Sequence, residues 1–175
     1  MNWMDTYDAT TVLLLTLRFQ SMNCTQGYQV MVFVHSRKGT SDTATALAQR
    51  AQAKGDLERY FTTQGKEGRS GDAYKRYADK AKKARSREVT NHFYNGIGIH
   101  HAGLLRPDRK LTETMFADGA IKVLCCTATL AWGVNLPAHN VIIKGTDVYN
   151  PEKGKNIDLS ILDVQQIFGR AGRPQ

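Results

Sequence analysis

Val30-Met31-Val32-Phe33-Val34 runs without a break into His35-Ser36-Arg37-Lys38-Gly39. The first five residues are apolar and mostly β-branched or aromatic, as in a strand covered on both faces. The polar residues and glycine that follow mark a turn. Beyond it, Ala44, Leu47, Ala48 and Ala51 recur at i, i+3, i+4 and i+7, the spacing of one helix face. A buried strand leading into an amphipathic helix is the first half of a strand–helix–strand unit.

The alternation resumes downstream. Residues 54–72 contain Gly55, Gly65, Gly68 and Gly71 and read as a surface connection. From Lys75 to Glu88 the chain is rich in Lys and Arg, yet Tyr74, Tyr77, Ala78 and Ala81 keep helical spacing, so one exposed amphipathic helix is expected there. Gly96-Ile97-Gly98-Ile99 is a second short strand, followed by His100-His101-Ala102-Gly103. Pro107 suits the first turn of a helix carrying Leu111, Met115 and Phe116 and ending at Gly119. Residues 121–126 and 140–144 supply a third and a fourth strand. Strands separated by helices of this length imply right-handed crossovers, hence an α/β fold with an open, mostly parallel sheet and helices on both faces. Residues 29–175 form that domain; residues 1–28 are unassigned, with a possible helix over 11–22.

The chain has 175 residues, 41% of them hydrophobic, and a formal net charge of +8, which favours a soluble protein with an anionic partner. Nucleic acid fits that charge; a membrane does not, because no apolar run, Val12–Leu15 and Val30–Val34 included, is nearly long enough to span one. Cys24, Cys125 and Cys126 form no Cys-x-x-Cys pair and no zinc spacing with the five histidines, so no metal site is expected. Few cysteines suit a reducing compartment, the nucleus or the cytosol. Cys125 and Cys126 read as small residues of the third strand.

Ligands of open parallel sheets bind outside the carboxyl ends of the strands. Three polar clusters follow strand ends here: 35–38, 100–103 and Thr127-Ala128-Thr129. Taken singly, each has an ordinary role, with one histidine in the core and its neighbour exposed, or the threonines capping a helix. Near the C-terminus, Ser160 and Asp163 stand at capping-box spacing, and Ile161, Val164 and Phe168 share the face of the helix they begin. Gly169 is read as ending it in a left-handed turn, after which Arg170 and Arg173 project as planar, permanently charged forks suited to phosphate oxygens.

The stretch Thr127-Ala128-Thr129-Leu130-Ala131-Trp132-Gly133-Val134-Asn135-Leu136-Pro137-Ala138 resembles motif V of the superfamily 2 helicases, in the form used by the Ski-like DExH group. Residues 32–37 resemble motif IV, residues 99–104 motif IVa, and residues 166–173 motif VI. Within that group, the two-cassette helicases of cointegrator-complex and spliceosomal type are most similar, and residues 161–169 lean toward the former. The resemblance implies the second RecA-like lobe of an ATP-driven RNA or DNA helicase. It implies Arg173 as arginine finger, Arg170 at the phosphates, and Gln166, Gly133 and Asn135 toward ATP. Ser36, Arg37, His101, Gly103 and Thr127 are implied as contacts to the backbone of the tracking strand. A first RecA-like lobe and a multiprotein complex are the implied protein partners.

The 175 residues contain neither a Gly-x-x-x-x-Gly-Lys-[Ser/Thr] loop nor an Asp-Glu dipeptide. Those parts, which cradle the phosphates and hold Mg²⁺, belong to the family's first lobe. The expectation is therefore a fragment cut just after motif VI, contributing to catalysis but inactive alone. The alternative is a non-catalytic interaction module that keeps the lobe as a scaffold. A dinucleotide-dependent oxidoreductase is disfavoured, since Gly96-Ile97-Gly98 lacks the third glycine of that fingerprint, with His101 in its place.

Overall fold

A computed structural model describes residues 29–55, 69–144, 147–150, 154–158 and 160–170. The expectations for residues 1–28, for Cys24, for 56–68 within the surface connection, and for Arg173 fall outside the described residues.

β1 (Val30–Phe33), β2 (Ile97–His100), β3 (Val123–Cys126) and β4 (Asn140–Ile143) form one sheet in the order β2-β3-β1-β4, with every pair parallel. The residues of β1, β2 and β3 are all buried, which is why β1 and β3 read as apolar runs rather than alternating sequences. Phe33, Ile97, Ile99 and Leu124 are among the largest side chains wholly removed from water.

α1 (Arg37–Ala53) buries Ala44, Leu47, Ala48 and Ala51, the residues whose spacing marked its inner face. α4 (Arg106–Ala117) starts with Pro107 in its first turn and buries Met115 and Phe116. Its exit uses Gly119 at φ +74°, a left-handed conformation that a Cβ would strain. Buried Gln29 ties the start of β1 to that exit: its side-chain amide donates to the carbonyls of Phe116 and Ile121. From β1 the chain crosses over β3 to reach β2 at the edge, then returns to β3 through α4. Right-handed crossovers in opposite directions put α1 and α3 (Arg87–Tyr94) on one face and α4 on the other.

The single basic helix expected over Lys75 to Glu88 is two helices. α2 (Arg69–Lys82) ends after Lys82, and α3 begins at Arg87. Tyr74, Tyr77 and Ala81 are buried as their spacing indicated. The break comes from a distant residue: buried Asp108, in the first turn of α4, accepts from the backbone N–H groups of Arg85 (3.1 Å) and Ser86 (2.9 Å). These bonds hold the chain in a bend where it otherwise continues as helix. α2 also starts earlier than the glycine-rich reading of 54–72 allowed, with Gly71 inside it.

Two further strands, β5 (Asp147–Asn150) and β6 (Lys155–Asp158), form a separate antiparallel hairpin that the sequence did not announce. α5 (Thr129–Gly133) is one short turn following β3, and α6 (Ile161–Phe168) packs against it. The capping box of α6 is complete, with Ser160 Oγ accepting from Asp163 N (3.2 Å) and the Asp163 carboxylate accepting from Ser160 N (3.1 Å). Its apolar face is not the expected one: Ile167 is buried, whereas Ile161 and Phe168 are 78% and 58% exposed. Gly169 also departs from expectation, with φ −62° and a right-handed conformation. Its N–H still bonds the Gln165 carbonyl at 2.8 Å, so the last turn closes without a left-handed residue.

Candidate functional site

Because β1, β2 and β3 are parallel neighbours, the loops leaving their carboxyl ends lie side by side on one edge of the sheet. These are the three polar clusters singled out above. Ser36 is the N-cap of α1: its backbone is extended and its Oγ accepts from Gly39 N at 2.9 Å. That role uses an oxygen lone pair and leaves the hydroxyl proton available as a donor. Arg37 follows as the first residue of the helix, with its side chain exposed.

At the end of β2, His101 Nδ1 accepts from Gly103 N at 3.1 Å. In the neutral ring this acceptor role puts the proton on Nε2. A Cβ on Gly103 would lie 3.0 Å from His101 Nδ1 and 3.3 Å from Arg37 Cδ. Arg37, His101 and Gly103 therefore form one tight group built from two strand ends, and only glycine fits its centre without displacement. Burial is the main influence on the His101 ring and lowers its pKa; Glu88 opposes this, while Arg37 and His100 add to it. The ring is thus held toward its neutral form beside an exposed guanidinium.

His100 is buried as well, so the split into one core and one exposed histidine does not occur. Its Nε2 lies 3.0 Å from Glu113 Oε1 on α4, and the other oxygen of Glu113 is 3.6 Å from Lys110 Nζ. Burial lowers the His100 pKa, and the Glu113 hydrogen bond works against that shift. Sequence reading missed Glu113, since a glutamate on a helix of mixed polarity looks like a solvated residue. The His100 carbonyl accepts from Thr127 N at 3.1 Å, so the β2 exit fixes the β3 exit.

Thr127 and Thr129 do not cap α5, whose N-cap is Ala128 without a side-chain bond. Instead their hydroxyls bond each other at 2.8 Å. The threonine pair is a small hydroxylated surface next to the Arg37–His101–Gly103 group.

Of the residues assigned to the nucleotide, Arg170 and Asn135 are brought together, between α5 and α6. Arg170 Nη1 donates to Asn135 Oδ1 at 2.9 Å, and the Arg170 carbonyl accepts from Ala138 N at 2.9 Å. The loop after α5 therefore grips Arg170 by side chain and main chain together. The side-chain acceptor is a neutral amide, and the bond orients the guanidinium. Gly133 closes α5 with no heavy atom within 4 Å of a notional Cβ, leaving open space in front of it. Gln166 is exposed on α6. Arg173, the expected finger, lies outside the described residues. Among the described residues no group of three or more His, Cys, Asp or Glu is placed to hold a metal ion, and no helix is long and apolar enough to cross a membrane.

Comparison with known proteins adds an independent finding. Residues 73–175 match the model of the helicase conserved C-terminal domain. The chain is 56% identical over 149 residues to activating signal cointegrator 1 complex subunit 3 of Rattus norvegicus, covering 85% of this chain and 6% of that protein. It is 55% identical over 150 residues to the protein of the same name from Dictyostelium discoideum, covering 86% of this chain and 6% of that protein. Similarity extends to a DExH-box ATP-dependent RNA helicase of Arabidopsis thaliana, 52% identical over 150 residues, with 86% and 7% covered. The chain thus spans only a small part of the length of these curated relatives.

Proposed function

The chain belongs to the family of helicase conserved C-terminal domains, and from that premise we propose that residues 29–175 are the second motor lobe of an ATP-dependent helicase acting on RNA or DNA. The observation that carries this reading is the grip of Asn135 and Ala138 on Arg170. It orients a guanidinium just past the end of α6, where in this reading a phosphate chain presented by another lobe is met.

In this reading Arg173 is the arginine finger and Arg170 its neighbour at the phosphates. Gln166, Gly133 and Asn135 face the nucleotide. Ser36, Arg37, His101, Gly103 and Thr127 hold the sugar-phosphate backbone of the tracking strand. Hydroxyls, main-chain amides and a guanidinium contact phosphates without reading bases, so binding is tolerant of sequence and weakens with salt. ATP and the Mg²⁺ that accompanies it are bound mainly by the first lobe, which supplies the phosphate-cradling loop and the acidic box. An arginine that reaches the γ-phosphate only when two lobes close stabilises the charge of the transferring phosphoryl group and links hydrolysis to lobe motion. The names of the relatives support a place within a multiprotein complex; a nuclear or cytosolic location rests on the cysteine content alone.

The test is ATP turnover. The purified 175-residue chain is expected to show none. In a protein joining it to a first lobe, Arg173→Ala is expected to lower turnover by roughly 10³-fold or more, the scale of finger effects in other phosphoryl-transfer systems. Undiminished turnover in that variant rejects the motor reading and leaves the lobe a scaffold.

A further inference from the structure

The topology fixes where the basic stretch of the chain lies. α4 begins just after the β2 exit, at the carboxyl edge of the sheet, and runs back to the amino edge, where Asp118 follows it. Tyr77, in the middle of α2, donates from its hydroxyl to Asp118 Oδ2 at 2.8 Å. The residues just past the end of α2 bond instead to Asp108, in the first turn of α4. α2 therefore runs antiparallel to α4, toward the carboxyl edge. α3 runs back again, because it leads into the start of β2. The bend between them sits at the same edge as Ser36, Arg37, His101 and Thr127.

It also sits beyond the last strand. Among the described residues β2 is the outer strand of the sheet, and α2 packs on α3 and α4, which flank opposite faces of β2. α2 thus wraps the sheet's outer margin and delivers the bend there. Lys82, Lys83, Arg85 and Arg87 at the bend are exposed, as is Arg106 at the start of α4. Among the described residues none of the five makes an ion pair. Asp108, the nearest carboxylate by hydrogen bonding, is buried and spends its oxygens on the backbone of Arg85 and Ser86. Glu88 is the single acid within 82–88.

A solvated face of a basic helix has no need of this arrangement. Here a buried carboxylate holds the backbone of the bend, and the bend presents exposed cations, without ion pairs among the described residues, in line with the strand-holding edge. We propose that the α2–α3 bend, together with Arg106, is a second phosphate-binding surface that receives the same polynucleotide backbone as it passes the outer margin of β2. This rests on the reading of the carboxyl edge as a backbone site and extends it. The ligand is the backbone of a single strand, bound through charge and not through base identity.

The test uses the whole 175-residue chain and fluorescently labelled homopolymeric single strands of about six and about sixteen nucleotides, near the lower and upper ends of the site sizes of single-strand binders. The wild-type chain is expected to bind the longer strand more tightly and with a steeper salt dependence. Replacing Arg85→Gln and Arg87→Gln together removes two exposed charges from the bend and from the start of α3, where cations do not stabilise a helix. The pair is expected to lower affinity for the longer strand about tenfold and its log–log salt slope by about 1.4, at roughly 0.7 per phosphate contact. The shorter strand is expected to bind as before, and Arg85→Lys with Arg87→Lys to restore the longer-strand affinity. A glutamine variant that keeps the wild-type gain with length and its salt slope overturns the proposal, as does a wild-type chain with no such gain. Arg37→Ala separates the two readings. If it leaves short-strand binding intact, the carboxyl-edge assignment fails, while the contribution of the bend is still read from the difference between strand lengths.

Discussion

Removing the Asp108 carboxylate is expected to undo the bend between α2 and α3 at a definite cost. The carboxylate is 3% exposed and accepts two backbone N–H groups, at 3.1 and 2.9 Å. Hydrogen bonds to a charged acceptor are worth about 1.5–3 kcal/mol each. The two donors lie in a partly buried turn, so water recovers some of that energy in Asp108→Ala. A favourable charge at the first turn of α4 is lost as well, about 0.3–1 kcal/mol. The expected net loss is ~2–4 kcal/mol, a large share of the ~5–15 kcal/mol that holds a domain of this kind folded. With a urea m-value of about 2–3 kcal/mol per molar, the unfolding midpoint drops by about 1 M with m unchanged. Asp108→Asn keeps one acceptor oxygen and nearly the same shape, so it is expected to fall between wild type and Ala. Urea titration followed by circular dichroism reads all three. An Ala variant within about 0.5 kcal/mol of wild type, the range of an ordinary surface substitution, refutes the claim that Asp108 makes the bend.

Other positions give independent expectations. A Cβ at Gly98 would come within 2.4 Å of Ile121 Cδ1 and about as near as contact allows to Thr112 and Leu124. Gly98→Ala is therefore expected to cost about 1–3 kcal/mol through overpacking, and to lower the melting temperature by roughly 2–4 °C per kcal/mol; an unchanged melting temperature contradicts this close packing of β2 against Ile121, Thr112 and Leu124. Burial lowers the pKa of His92, His100 and His101 in the folded chain. The unfolded chain then takes up protons first, so stability is full above the ordinary imidazole value of about 6.5 and is lost as the pH falls below it. Urea midpoints compared on the two sides of that value are expected to fall on the acid side, and a flat or rising trend is the contrary result. Burial pushes the Cys125 thiol up to about 12 and raises that of Cys126 too. Both are expected to resist maleimide in the folded chain and to react on unfolding, as read by peptide mass spectrometry; rapid native labelling would contradict their burial.

Much of this molecule is legible from sequence wherever burial writes a local pattern. The apolar run of β1, the alanine-and-leucine face of α1, Pro107 and Gly119 around α4, and the Ser160–Asp163 box each state their structure within a few residues. What escaped depends on partners far along the chain. The end of α2 is set by Asp108, more than twenty residues ahead, and nothing in the uniformly basic surface of residues 75–88 marks it. The β5–β6 hairpin is made of four-residue strands bearing Asp147, Asn150, Lys155 and Asp158, polar residues that resemble a loop as much as a strand. Gly169 adopts a conformation open to any residue, so its flexibility was a permission and not a demand. The exposed Ile161 and Phe168 show that an apolar face identifies what a helix is able to bury, not what it buries within these residues. At the candidate site the strand-end clusters were readable as motifs. The Glu113 contact to His100, the Thr127–Thr129 pair and the Asn135 grip on Arg170 needed three dimensions.

The most direct check of the central claim is to map where a single strand touches this lobe. Backbone amide resonances of the labelled chain, followed during titration with a short homopolymeric oligonucleotide, report on every loop at once. The account predicts shifts at residues 36–39, 101–104 and 127–129, on the carboxyl edge, with residues 118–121 at the opposite edge unmoved. Shifts centred on 118–121, or none at the strand exits at saturating oligonucleotide, would contradict it.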